Sequence, residues 1–519
     1  MGQEGMKFAL ISVSDKTEID KFAKSLIKHN YIILSTGGTA KFLSSKKIPN
    51  ISISEFTKFD EILEGRVKTL HPIIHAGILA KDKKSIDSLK NSNYSLIDMV
   101  VVNLYPFEST ISKINCKYED AIENIDIGGP TMLRAAAKNH SRVTVITDPE
   151  DYKDVIKEIT TSNQTSMTMR KKLAIKVFRK ISEYDAMIHH YLVNPENAKK
   201  ENLPSKINIT LEKVNNLRYG ENPHQNASLY NIKYPRTEGF DFTQLSGKDL
   251  SYNNLVDTES ALSCVRQFKN PSCVIVKHAN PCGVAECNNL MAAYNNAYAT
   301  DPISAFGGII AFNKSMDEKV LKKIINQQFV EVIVATSYSK ACIEIIKSKP
   351  NIRLLKVGKS VKGGSKLEIK SLQSKFLIQE SDTKVITSKN LKAVTVKKPS
   401  NREIDDLLFA FKVARYVKSN AIVFVKNRKT LGIGAGQMSR IDSTNIAKTK
   451  ANKHGLSLKG CVMASEAFFP FRDNIDLAKK IGVSSIIQPG GSIKDKEIIA
   501  IADKHNISMV MSGVRVFKH

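Results

Sequence analysis

Long apolar runs are missing from this chain: no stretch approaches the ~20 residues that cross a bilayer as a helix, so a transmembrane span is not expected. Tryptophan is absent, aromatic residues make up only 7%, and no basic cluster is interleaved with aromatics in the way that grips single-stranded nucleic acid. The excess of 78 Lys and Arg over 51 Asp and Glu therefore does not by itself mark a nucleic-acid binder. The lysines are spread through every expected helix with many Asn and Ile residues, and a formal charge of +27 would equally attract small anionic substrates. Cysteine is sparse too. Seven scattered residues, an odd number, point to reduced thiols in the cytoplasm rather than a disulfide framework. The opening MGQEGMKFALISVS lacks a basic segment followed by an apolar stretch and a cleavage site, so residues 8–13 are expected as a first strand.

What is present is a globular composition, 42% hydrophobic, in 519 residues, which is too long for one core and predicts two to four domains. The first ~190 residues alternate strand and helix: a strand at 8–14, a helix at 17–29 with Ile19, Phe22, Ala23, Leu26 and Ile27 on one face, and a strand at 31–36. That βαβ opening predicts a mainly parallel sheet. Ser12, Ser14 and Lys16 follow the first strand, and Ser35, Thr36, Gly37, Gly38 and Thr39 follow the second just before a helix. Such a turn can cradle a phosphate on backbone N–H groups, or do no more than cap the helix. Arg66, Lys68, Thr69 and His71 then crowd one short loop, with His75 nearby. The strand at 98–103 ends at Asn103 and runs into Tyr105, and Asp126 precedes a helix bearing Arg134 and Lys138. Tyr105 alone could equally be a packed ring with a wet hydroxyl, and Asp126 a helix cap.

Residues 194–205 (NPENAKKENLPS) have the composition of a linker and place the main boundary there, giving expected domains 1–195 and 196–519. The second half opens on a polar, turn-rich segment containing Arg218, Tyr219 and His224. Its most informative stretch is CVIVKHANPCGVA, where a β-branched run delivers Lys277 and His278 side by side. Asn280, Pro281 and Gly283 are expected to end that strand and open a loop. Successive strand side chains face opposite ways, so both bases can serve one site only if the backbone bends there. The dipeptide fits a general base beside a cation, and it also fits a solvated lysine and a satisfied loop histidine. Residues 357–374, rich in Lys, Gly and Ser, are expected to form an exposed excursion. A zinc deaminase signature is not met: Asn280 stands where the acid-base Glu would be, and Cys282 and Cys287 are too far apart in sequence for P-C-x-x-C.

Taken together and in order, SVSDKT, STGGTA, GRVKTLHP, VVVNLYPF, DIGG, LRYGENPHQ, VKHANPCG, SAFGG, FFPFRDN and RVF resemble the bifunctional purine-biosynthesis enzymes that join AICAR transformylase to IMP cyclohydrolase. The resemblance runs from Ser12 to the last residue. It implies an N-terminal methylglyoxal-synthase-like α/β domain with a parallel sheet, followed by two cytidine-deaminase-like α/β/α units. It implies formyl transfer from 10-formyltetrahydrofolate to AICAR, giving FAICAR, and dehydrative closure of FAICAR to IMP, with no tightly bound cofactor and a structural monovalent cation left open. A cytoplasmic homodimer with transformylase sites at its interface is implied as well, with neither nucleic acid nor membrane as a partner. By position, His278 and Lys277 would carry formyl transfer, and Lys68, Tyr105, Asp126 and Lys138 would carry ring closure. Ser12, Ser14, Lys16, Ser35, Gly37, Gly38, Thr39, Arg66, Thr69 and Asn103 would surround the phosphate and ribose of the cyclohydrolase nucleotide. Arg218, Tyr219, His224, Asn420, Asp473, Arg515 and Phe517 would hold the transformylase nucleotide and folate, with Phe306 and Gly307 against the folate.

Overall fold

A computed structural model describes residues 6–92, 94–113, 115–193, 203–234, 240–358 and 367–519. The chain divides into two compact units, Met1–Thr210 and Leu211–His519. The linker expected at 194–205 falls largely outside the described residues, as does the middle of the excursion expected at 357–374.

In the first unit, β1 (Lys7–Val13), β2 (Tyr31–Ser35), β3 (Ile51–Ser52), β4 (Met99–Asn103) and β5 (Thr144–Ile146) form one all-parallel sheet in the order β3-β2-β1-β4-β5. The strands β1, β2, β4 and β5 are largely buried β-branched and aliphatic runs, as a sheet covered on both faces requires. The helix Ile19–Lys28 shows how sequence pattern becomes packing: Ile19, Phe22, Ala23 and Leu26 recur at helical spacing and are all buried. The strand order of this sheet reverses between β1 and β4. Ligands of open α/β sheets bind at such a switch point.

The second unit carries a peripheral ribbon, β6 (Thr210–Asn216) with β7 (Ser228–Tyr234), and a second, β14 (Leu367–Leu372) with β15 (Lys375–Glu380). Its body is one twelve-stranded sheet built from β8 (Phe242–Ser246), β9 (Ser272–Lys277), β10 (Asn280–Glu286), β11 (Gly308–Phe312), β12 (Val330–Ala335), β13 (Arg353–Val357), β16 (Lys392–Ala393), β17 (Ile422–Lys426), β18 (Lys429–Gly434), β19 (Val462–Ser465), β20 (Ser485–Gln488) and β21 (Ser508–Met511). The order β16-β21-β20-β19-β17-β18-β10-β9-β11-β12-β13-β8 reads as the same half-sheet twice, joined where β10 meets β18. Each half is a hairpin, then an antiparallel neighbour, two parallel strands and an antiparallel edge.

One expectation is corrected. Residues 280–286 are not a loop but strand β10, so Lys277 and His278 sit at the tip of a tight hairpin. Pro281 is accommodated because the β9–β10 register shifts between Pro281 and Gly283, the kind of irregularity at which a sheet tolerates proline.

Candidate active sites

At the C-terminal edge of the first sheet, hydroxyls and amides stitch three strands together. Ser12 Oγ and Thr36 Oγ1 lie 2.7 Å apart, and Ser35 Oγ donates to the Ile11 carbonyl at 3.1 Å. The Thr39 hydroxyl donates to the Val13 carbonyl at 2.9 Å and accepts the Val13 N–H at 3.0 Å, fastening the helix Gly37–Ser45 to the end of β1. Asn103, at the tip of β4, accepts the Ser14 N–H at 2.6 Å, the Ser14 hydroxyl at 3.0 Å and the Asp15 N–H at 3.0 Å. Lys16 Nζ donates back to the Ser14 carbonyl at 3.4 Å. Gly37 has a positive φ of 31°, and the Lys68 ammonium lies 3.4 Å from where a Cβ on Gly37 would stand, so the missing side chain leaves room for the cation. Gly38 has open space at the equivalent point. Thr69 is buried against Gly128, at the start of the helix Gly128–Lys138.

Lys68, Tyr105 and Asp126 form one electrostatic group. Burial pushes the Asp126 carboxyl up, opposed by the backbone N–H of Gly129 at 2.8 Å, that of Tyr105, and the Lys68 charge. Burial likewise raises the Tyr105 phenol, reinforced by the negative charges of Asp126 and Glu61, so the phenol keeps its proton at neutral pH. The Asp126 N–H donates to the Tyr184 hydroxyl at 2.8 Å. Arg66 turns to Glu123, donating through Nε at 3.1 Å. Lys138 is not part of this group: its helix returns the chain to the opposite edge of the sheet, where nearby Arg142 bonds Asp98 at the start of β4. Ten residues of helix put it roughly 15 Å from the Asp126 end.

In the second unit, His278 and Ala279 form the two-residue turn between β9 and β10, with positive φ of 54° and 58°. Asp257, on the helix Tyr252–Val265, accepts both their backbone N–H groups, at 3.2 Å from His278 and 2.6 Å from Ala279. Burial raises this carboxyl against those two donors and the nearby imidazole. The left-handed turn re-aims the backbone after Lys277 and so brings the two bases to one place. Both line a cavity of about 520 Å³ together with Cys282, Ser304, Gln437 and Lys450. Lys277 Nζ donates to the Phe306 carbonyl at 2.6 Å, and the exposed Phe306 ring stands 5.5 Å from that of Phe329. Gly307, with φ of 72°, has Lys277 Nζ 4.0 Å from its absent Cβ.

Asn420 reaches the cavity through Gln437, donating both its backbone and its side-chain N–H to the Gln437 carbonyl, at 3.0 and 2.8 Å. Adjacent Ser419 donates its N–H to the Lys518 carbonyl at 2.9 Å, which ties the C-terminal segment to the same region. There Arg515 lies over the Phe517 ring at 4.4 Å, with Arg440 on the same ring at 6.0 Å. Arg218 stacks on Tyr219 at 5.5 Å, and both lie within electrostatic reach of Arg353, which is also influenced by Glu331. Asp473 opens the helix Asp473–Ile481 with its carboxylate turned onto Asn474, and His224 occupies an exposed turn; like Arg218, Tyr219, Asn420, Arg515 and Phe517, neither is among the residues that line the cavity. Asp257, Tyr184, Gln437 and Lys450 join these groups without a sequence signal of their own, since a carboxylate, phenol, amide or amine within an ordinary helix or turn carries no local signature.

A family model described as AICARFT/IMPCHase bienzyme matches residues 136–450, and one described as MGS-like domain matches residues 18–131. Among solved structures, one titled "Crystal structure of ForH" is 31% identical, covering 36% of this chain and 97% of its own, with a TM-score of 0.32. No helix among the described residues is long and apolar enough to cross a membrane. The chain belongs to the AICARFT/IMPCHase bienzyme family, and is a multifunctional enzyme of purine biosynthesis with folate-dependent formyltransferase and IMP cyclohydrolase activities.

Proposed function

We propose that the two mouths divide the two reactions, with ring closure in the N-terminal domain, 1–195, and formyl transfer in 196–519. The observation that carries the second assignment is the Lys277 ammonium, held at 2.6 Å on the Phe306 carbonyl beside His278 at the cavity. The 5-amino group of AICAR is conjugated with a carboxamide and is a weak nucleophile. As its nitrogen bonds to the formyl carbon of 10-formyltetrahydrofolate, His278 takes its proton and the carbonyl oxygen becomes an oxyanion next to Lys277. The carbon–N10 bond then breaks, N10 recovers a proton, and FAICAR and tetrahydrofolate leave. Arg218 and Arg515 are assigned to the nucleotide phosphate and its surroundings. Tyr219, His224, Asn420, Asp473 and Phe517 orient base or folate, and Phe306 offers its exposed face, beside Gly307, to the pterin.

In the first unit the carboxamide nitrogen attacks the formyl carbon of FAICAR, and water is lost. The formyl oxygen, an oxyanion beside Lys68, takes a proton from Tyr105, which recovers one from the attacking nitrogen; the carbon–oxygen bond then breaks and water leaves with the hydrogen of the formamido nitrogen, while Asp126 orients the amide. Ser12, Ser14, Lys16, Ser35, Gly37, Gly38, Thr39, Arg66, Thr69 and Asn103 are assigned to phosphate and ribose. We further assign a homodimer, in which Leu211, Val214 and Tyr230, exposed on the β6–β7 ribbon, supply apolar surface for a second copy to cover. Lys138, at the far edge of its own sheet, then serves the neighbouring copy's nucleotide. Seven free thiols fit a cytoplasmic setting. No monovalent-cation site is assigned: the fully buried Glu466 carboxylate, an oxygen donor suited to one, is already neutralised by Arg440 at 2.9 Å. In the deciding experiment, His278→Ala lowers formyl transfer at least ~100-fold with FAICAR closure within about twofold of wild type, and Lys68→Ala does the reverse; the opposite split would overturn the division.

A further inference from the structure

The cavity around Lys277 and His278 is also bounded by Ser304 and Lys450, and these meet on a carboxylate that the chemistry above does not use. Asp301 is nearly buried, with 5% of its side chain exposed. It accepts the Ser304 N–H at 3.0 Å and the Ser304 hydroxyl at 2.7 Å, closing the short turn Pro302–Ala305. Lys450 Nζ lies on the same carboxylate at 2.8 Å, and His454 Nε2 lies 3.4 Å from its other oxygen. Burial alone would raise the Asp301 carboxyl, but the Lys450 ammonium and the two Ser304 donors hold it below the ordinary value. The residue after the turn is Phe306, whose carbonyl holds Lys277. On its other side Gly307 donates to the Phe329 carbonyl at 2.9 Å, so that carbonyl is pinned from both directions.

The repeat of the half-sheet gives this cluster its meaning. Lys450 belongs to the helix Arg440–Lys453 of the second half and reaches across to Asp301 in the first. The segment that follows that helix, 454–461, contains no carboxylate, so the second half offers no counterpart to Asp301. Asp301 occurs in the half that carries the lysine–histidine pair.

We infer that Asp301 and Lys450 are positioning residues for formyl transfer, fixing the 302–306 turn so that the Phe306 carbonyl holds the Lys277 ammonium beside His278. This rests on the assignment of formyl transfer to this cavity. The test uses full-length protein carrying Asp301→Asn, Lys450→Met, Lys450→Arg or His278→Ala. Initial rates of tetrahydrofolate release are measured against AICAR and formyl-folate concentration, and closure of FAICAR and the melting temperature on the same preparations. Asp301→Asn and Lys450→Met are expected to lower kcat for formyl transfer about tenfold or more, with KM for AICAR changed less than about threefold, and Lys450→Arg to restore kcat to within about threefold. Should Asp301→Asn not fold, Ser304→Ala, which removes one hydrogen bond from the cluster, is expected to lower kcat about threefold. Wild-type kcat in Lys450→Met, or equal losses in the Met and Arg variants that track melting temperature, would overturn the inference. If His278→Ala itself transferred formyl at the wild-type rate, the assignment of the cavity would fail instead.

Discussion

Asp257 and Asp406 stand in the same relation to their hairpins: each lies 21 residues before a two-residue left-handed turn and accepts both backbone N–H groups of that turn. Asp257 holds His278 and Ala279, while Asp406 holds Asn427 at 2.9 Å and Arg428 at 2.6 Å. Two consecutive residues with positive φ are costly for side chains other than Gly, Asn and Asp, and the carboxylate offsets that cost with two charge-assisted hydrogen bonds. Because the turn tips differ, His278 in one and Asn427 in the other, the shared device is separable from the chemistry. Asp406→Asn is expected to leave formyl transfer within about twofold, and Asp257→Asn to lower kcat at least ~tenfold. Each should lose about 1 to 2 kcal/mol in urea unfolding followed by circular dichroism. Equal kinetic losses in both variants would show that the turn matters only through stability.

That comparison also explains what the sequence made legible. The parallel sheet of the first unit was readable because Ile19, Phe22, Ala23 and Leu26 keep helical spacing between two short apolar runs, and such patterns survive folding. The hairpin at 272–286 was not, because Asn280, Pro281 and Gly283 carry the composition of a loop. Pairing with β9 and β18 overrides that local preference, as tertiary contacts generally can in strands. Lys277 and His278 are legible because they lie side by side. Asp257 could have been found only by seeing its 21-residue spacing to the turn repeated at Asp406, a signal far longer than any short-period search.

Tyr184 supports the Lys68, Tyr105 and Asp126 group from behind, its hydroxyl accepting the Asp126 N–H at 2.8 Å and donating to the Asn124 carbonyl at 3.3 Å. Tyr184→Phe leaves the ring in place and strands a partly buried amide. Closure of FAICAR is expected to slow about three- to tenfold, with a stability loss of about 1 kcal/mol and no change in formyl transfer. Parallel measurement of both activities on one preparation checks this.

The helix that Asp473 opens is fastened at Asp476, whose carboxyl is held down at about 2 by hydrogen bonds from Arg472 at 2.8 Å and His505 at 2.7 Å. A depressed carboxylate stabilises the fold above its unfolded pKa, ~3.9, and that contribution is lost as pH falls through about 2. The side chain is about a third exposed, so solvent screening limits the effect to about 1 kcal/mol or less. Stability of wild type minus Asp476→Asn, followed by denaturant titration between about pH 5 and about pH 2, is expected to shrink steadily below about pH 4. A difference that grows on acidification would refute the linkage.

Lys138 provides the sharpest test of assembly. Its helix begins beside Thr69 and ends at the opposite edge of the sheet, so Lys68 and Lys138 of one chain cannot hold the same ring. If closure needs both, they come from two copies. Lys68→Ala and Lys138→Ala are each expected to slow closure about 100-fold as homodimers. When the two are co-expressed and assort at random, half of the dimers are mixed, and each mixed dimer has one site with both lysines intact. Recovery of about a quarter of wild-type activity is then expected from a twofold-symmetric pair. A site built within one copy would carry a defect in every case, and co-expression would recover nothing.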